Sequence, residues 1–276
     1  MGEIDGVMKD TSAQALTSAI EANLLHHARV IATNLPQVDL HDESDVLWSA
    51  TRIRDPYLNR VYWARFSRED ADRRVGEILT HFVLRGLPLS WHVGPSTGPR
   101  ELGTLLIDRG LTRLEDEVGM AQDLRSFRED APPPSGLVIE PVAEKRALRS
   151  WVEVVAAGFG FPDTVASLIF ELHRGIGSSE HSPWRLYLGL MDGEPVGTSR
   201  LFVSTGVAGV YHVATLPEKR KRGIGAAMTR AALREARSLG CDIAVLRAAQ
   251  VGLGIYGKLG FRECCTFARY LRKEAR

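Results

Sequence analysis

The chain is 276 residues long, more than one small core needs and suited to two domains of ordinary size. A net charge of +1, with 44% hydrophobic and 25% charged residues, fits a soluble globular protein and gives no electrostatic reason to expect nucleic acid or an anionic membrane as partner. Three cysteines, two of them adjacent (Cys264 and Cys265), make neither a disulfide framework nor a zinc spacing, so no metal is expected and the thiols suit a reducing cytoplasm. The amino terminus carries no basic stretch followed by an apolar one, and no apolar run is long enough to span a bilayer; a cytoplasmic chain is expected. Its oligomeric state is not legible.

Along the chain, residues 12–33 carry Ala15, Leu16, Ile20, Leu24 and Leu25 at helical spacing, which predicts an amphipathic helix packed on the first half. Asp42-Glu43-Ser44-Asp45 reads as a solvated acidic turn. A helix is expected over 72–85 closed by Gly86, then a strand over 87–93, a turn over 95–99, and a helix from Arg100 closed by Gly110. Trp91-His92-Val93-Gly94-Pro95 reads as a buried strand and turn, with Ser96 or Thr97 capping the next helix. Pro132-Pro133-Pro134 cannot continue a helix or donate to a ladder, so residues 131–136 are expected to be a linker between domains at 1–130 and 137–276.

In the second half a strand starts at Leu137, and helices follow over 144–157 and 162–174. Strands at 184–190 and 195–203 flank an Asp192-Gly193 turn, and a third covers 206–215. Ile224, Ala227, Met228, Ala231 and Leu239 share one face of a helix closed by Gly240. A short strand over 242–247, a short helix ending at Gly260 and a last strand over 261–271 complete the order. This predicts an α/β or α+β domain with a mostly antiparallel sheet flanked by helices. The caps Gly86 and Gly110 echo Gly240 and Gly260 at near-equal offsets, which suggests a diverged internal repeat.

Chemistry concentrates after the third strand of this half. Val213-Ala214-Thr215-Leu216-Pro217 leads into Arg220-Lys221-Arg222-Gly223-Ile224-Gly225-Ala226 and then the long helix. The first amides of a helix lack internal acceptors and carry the positive end of its dipole, and glycines let an anion approach them. Alone, the segment reads equally as a solvated basic turn before an ordinary helix. Downstream stand Tyr256 and then Gly260-Phe261.

In this order and spacing the second half resembles the GNAT acetyltransferase superfamily. The family's (Gln or Arg)-x-x-Gly-x-(Gly or Ala) loop is matched by Arg220, Gly223 and Gly225, and its Tyr-x-x-x-Gly-Phe signature by Tyr256, Gly260 and Phe261. The resemblance implies two GNAT-like domains in tandem, the first degenerate, and acetyl-CoA as cosubstrate. It implies that the pantetheine arm runs beside Val213, Ala214 and Thr215. The pyrophosphate would rest on the loop and helix from Arg220 through Lys221, Arg222, Gly223, Ile224, Gly225 and Ala226. The flanking strands would splay to receive the thioester, with an N–H near Val213 facing the oxyanion. Tyr256 would be the general acid toward the departing thiolate.

The usual base positions match Gly209 and Tyr211, so no carboxylate is available there; Tyr211 is left to line the acceptor site or relay a proton. Alternation turns His212 away, as a structural histidine. Glu171, His173, Glu180 and His181 fall in the segment that covers the acceptor pocket, and read first as solvated or helix-face residues. In the first half Leu106 stands in the place of Tyr256, and Glu69, Asp70 and Asp72 would repel a pyrophosphate. That half is expected to wall in the acceptor pocket. The activity implied is acetyl transfer to a primary amine of a small molecule rather than of a protein; the alternative is a non-catalytic acetyl-CoA sensor.

Overall fold

A computed structural model describes residues 8–35, 37–128, 131–176, 182–204 and 206–273. The chain folds as two compact units, each drawn from two stretches of sequence: residues up to His27 with Gly119–Cys264, and Ala28–Val118 with residues from Cys265 on. The units therefore do not divide at the linker expected over 131–136. Helix α1 (Ala13–Thr33) belongs with the second half of the sequence as far as His27, not with the first half as its apolar stripe suggested.

The smaller unit holds β1 (Asp39–Asp42), β2 (Val46–Ala50), β3 (Arg60–Ala64), α2 (Ala71–Leu84), β4 (Leu89–Val93), α3 (Leu102–Asp108) and β5 (Thr112–Arg113). β1, β2 and β3 are successively antiparallel, and β3 runs parallel to β4. The far side of β4 is taken by residues 268–272, with Tyr270 opposite Trp91. The expected last strand thus completes the sheet of the first half. Val46, Trp48, Val61, Phe82, Trp91 and Leu102 meet in one core against α2 and α3. The acidic turn is not merely solvated: Asp42 pairs with Arg29 at 2.7 Å, and Glu43 and Asp45 grip Arg74 at 2.6 and 2.8 Å. Nor does Ser96 or Thr97 cap α3. Ser96 accepts from Trp63 Nε1, Thr97 donates to the Gly94 carbonyl, and the helix begins only at Leu102.

The larger unit adds β6 (Glu117–Asp123), β7 (Leu137–Pro141), α4 (Lys145–Phe159), α5 (Asp163–Ile176), β8 (Trp184–Met191), β9 (Glu194–Ser204), β10 (Val207–Thr215), α6 (Ile224–Ser238), β11 (Ile243–Ala248) and α7 (Gln250–Lys258). Strand β12 (Arg262–Arg272) passes from this unit to the other at Cys265. The sheet order here is β7-β8-β9-β10-β11-β6. β7 through β10 are antiparallel neighbours, and β10 is parallel to β11. This is the mixed, mostly antiparallel sheet with flanking helices that the periodicity predicts. α6 lies close on the sheet because Gly189 and Gly197 carry no Cβ. One built at Gly189 would stand 2.7 Å from Met228 Sδ, and one at Gly197 2.6 Å from Ile224 Cγ2. Leu137, Met191, Val196, Ile224 and Met228 fill that seam. Among the described residues, no helix is long and apolar enough to cross a membrane.

Candidate functional site

The sheet opens between β10 and β11. Among the described residues the two strands pair only at Ala208–Ala244 and Gly209–Val245, so β11 gives residues 210–215 of β10 no ladder partner. On its other side β10 stays paired to β9, but with a bulge. Tyr211 faces Arg200 and Ala214 faces Thr198, so His212 and Val213 together oppose Ser199. His212 takes a left-handed backbone (φ 47°), and its carbonyl accepts from Thr198 Oγ1 at 2.9 Å, which pins the bulge. Its ring lies 5.6 Å from Trp151 and 5.8 Å from Phe159 of α4. α4 reaches β10 because Gly158 is bare there: a Cβ would come within 2.7 Å of Ala214 Cβ.

From Thr215 the chain makes a short 3-10 turn over Pro217–Lys219 and then turns sharply into α6. Lys221 (φ 62°) and Gly223 (φ 79°) both sit in the left-handed region, a backbone form that turns successive amides toward one concavity. Gly223 is the N-cap of α6 and supplies no side chain to its first amides, which leaves them for an outside acceptor. Gly223 is required by its own dihedral. Gly225 is different: a Cβ there would meet Thr215 Oγ1 at 3.6 Å and Val213 Cγ1 at 4.0 Å, ordinary contacts. Packing does not demand a glycine at 225, whereas close approach of a bound group would. Lys221 and Arg222 are exposed in this turn. Arg220 acts within the fold instead. Its guanidinium donates to the carbonyls of Gly158 (2.8 Å) and Thr215 (3.4 Å), tying the loop to α4 and β10.

Tyr256 lies on α7, which packs against β11 and α6. The half-buried ring sits edge-on to Phe261 at 5.9 Å, in space kept by Gly252, where a Cβ would be 2.9 Å from the ring. Burial pushes its pKa up to about 12, so the phenol keeps its proton, and its hydroxyl makes no hydrogen bond among the described residues. A protonated, uncommitted phenol can serve as an acid.

Tyr211 is not on offer in that way. Its hydroxyl donates to Asn23 Oδ1 at 2.7 Å, and its ring stacks on His27 at 4.1 Å, both from α1. Asn23 is fully buried, and its Oδ1 would collide with a Cβ at Gly209. The position where a base was sought is thus covered by an amide from the far end of the sequence. Next to it the buried Arg200 donates to His27 Nε2 at 2.5 Å and to His173 Nε2 at 3.2 Å. His173 is held well below its ordinary pKa, by burial first and by Arg200 second, and so accepts as a neutral ring. Glu171 is exposed and paired with Arg174, while Glu180 and His181 lie outside the described residues. Asn23 and His27 are not singled out by the sequence alone, although they extend the Leu16–Ile20 stripe of α1; a polar pair on an apolar face is the signal that marks them.

The strand end at 213–215, the turn at 220–226 and the Tyr256 helix all belong to the larger unit, and Tyr211 is turned to α1. Solved structures with this architecture include GCN5-related N-acetyltransferases. The enzyme from Kribbella flavida superposes with a TM-score of 0.72 at 18% identity, over 94% of this chain and 96% of that one. One from Sphaerobacter thermophilus gives 0.63 at 14% identity, over 83% and 80%. A tandem GNAT protein from the clavulanic acid biosynthesis pathway gives 0.58 at 14%, over 94% and 96%. At such identities the likeness establishes the fold. The model of the acetyltransferase (GNAT) family matches residues 149–261 of this chain. No curated protein sequence matches the chain.

Proposed function

We propose that the chain transfers an acetyl group from acetyl-CoA to a primary amine, with a small molecule as acceptor. The observation that carries this reading is the parting of β10 from β11 beside a helix whose N-cap is a glycine in left-handed conformation. Acetyl-CoA supplies an activated acyl thioester. The chain's residues fit it: Val213, Ala214 and Thr215, which β11 gives no ladder partner, offer backbone partners to the amides of a pantetheine arm. The amides from Lys221 to Ala226 receive a pyrophosphate, with Lys221 and Arg222 adding charge. Gly225 keeps a side chain out of the way.

Tyr256, whose phenol keeps its proton at neutral pH, gives that proton to the departing sulfur, and the proton shed by the attacking nitrogen returns to the phenolate through solvent. The amide of Val213, displaced from the ladder register by the bulge, faces the negative charge that develops on the carbonyl oxygen. No carboxylate stands at Gly209 or Tyr211, so the amine is taken up in its neutral form and the rate follows the amine's own ionisation.

Thiol release measured with a panel of amines, beside calorimetry for acetyl-CoA, tests this. Tight binding with acetylated product appearing on at least one amine is expected. Binding without turnover on any amine, across the alkaline range, supports the sensor reading, which the Asn23 cover over Gly209 favours. Absence of binding removes both.

A further inference from the structure

The smaller unit holds a second concentration of chemistry. β1 is an edge strand, and Asp39 and His41, two residues apart, fall on the same side of it. His81 comes from the last turn of α2. Trp48, opposite His41 on β2, fixes both imidazoles: the His41 ring stacks on it at 3.6 Å and 5°, and the His81 ring meets it edge-on at 4.6 Å. The two imidazoles stand at 81° to one another, with centroids 5.4 Å apart.

The ligand-type atoms converge. Asp39 Oδ2 is 3.3 Å from His41 Nε2 and 3.8 Å from His81 Nε2, and the three atoms lie within 4.8 Å of one another. Ligands held about 2.0–2.1 Å from a tetrahedral zinc stand about 3.3 Å apart, so small side-chain movements close the sphere. Both Nε2 atoms are shielded from solvent and neither makes a hydrogen bond among the described residues. Buried polar atoms rarely go without a partner, and two aimed at one carboxylate call for a shared one. Behind His41, Glu43 Oε1 lies 4.0 Å from Nδ1, on the side from which a carboxylate holds a ligating imidazole with its Nε2 lone pair outward.

We infer that Asp39, His41 and His81 form a binding site for a divalent transition-metal ion of the zinc kind, with a fourth position open to water. Two imidazoles and one carboxylate suit zinc and its first-row neighbours better than magnesium or calcium, which prefer oxygen. The ion would tie the edge strand β1 to α2. The inference is independent of acetyl transfer, since every ligand lies in the smaller unit.

The test uses the full chain, freed of any histidine tag and stripped with chelator, then titrated with zinc by calorimetry and with cobalt by absorption. One equivalent of zinc is expected, with a change in Trp48 fluorescence. The cobalt form should show the visible bands of a four-coordinate site and no near-ultraviolet thiolate charge transfer. Asp39→Asn, at a carboxylate whose side chain is 58% exposed, and His81→Gln should each weaken zinc at least about tenfold while leaving the metal-free melting curve in place. The site is overturned by the absence of saturable binding, by affinity that survives both substitutions, or by a thiolate band tracing the metal to the cysteines.

Discussion

A phenol that burial holds at about pH 12 is protonated wherever an acetyltransferase would be assayed, and it can only be an acid there. Tyr256→Phe should therefore lower kcat by about 100-fold or more, the range expected for a lost general acid, with the acetyl-CoA Kd within about twofold of wild type. Wild-type turnover in that variant would end the assignment. The sign of the linkage also follows. The folded pKa is raised, so the contribution of Tyr256 to stability is whole below about pH 10 and lost as pH climbs through about 12. Denaturant midpoints across that interval should decline less in Tyr256→Phe than in wild type. Gly225 separates binding from folding at the same scale. Because its Cβ has room, Gly225→Ala should melt at the wild-type temperature or slightly above, gaining up to about 0.5–1 kcal/mol of helix propensity. Its CoA affinity, by calorimetry, should fall at least about tenfold. Equal affinity would mean that nothing passes close to that backbone.

At the scale of elements, the contact between α1 and β10 covers Gly209 and fixes Tyr211. Gly209→Ala drives a methyl into Asn23 Oδ1 and to 2.5 Å from Tyr211 Cε2, an overpacking worth about 1–3 kcal/mol in urea unfolding. Asn23→Ala leaves the half-buried Tyr211 hydroxyl without its acceptor, again about 1–3 kcal/mol. The two costs should be non-additive, because the second change removes the obstacle met by the first. An additive cycle would mean that Asn23 does not sit over Gly209. The elements bearing chemistry were legible because each has a local signature: the helical face from Ile224, the glycine-opened turn before it, and the cap at Gly260 closing the Tyr256 helix. The strands over 39–64 were not read, since they are four or five residues long and β2 is buried at every position, which erases alternation. Asp39, His41 and His81 escaped for another reason. Their spacing in sequence matches no ligand pattern, and only the pairing of β1 with β2 and the approach of α2 bring them together.

For the whole molecule, the exchange of segments matters more than the midpoint of the chain. A fragment of residues 137–276 would contain every residue assigned to the cofactor and would lack β6 and the buried face of α1, including Asn23 and His27. It should be recovered as an aggregate or without a cooperative melting transition, whereas the full chain should melt cooperatively; a well-folded fragment that binds CoA would contradict the exchange. The proline-rich stretch misled because a linker composition marks where a chain leaves a surface, not which strands pair. The same exchange sets a schedule for synthesis. Strand β4 emerges early, but its partner at 268–272 follows more than half a chain later, on the order of ten seconds of translation at ordinary rates. Throughout that interval the nascent chain presents, on the strand that carries Trp91, an edge whose partner has yet to be made.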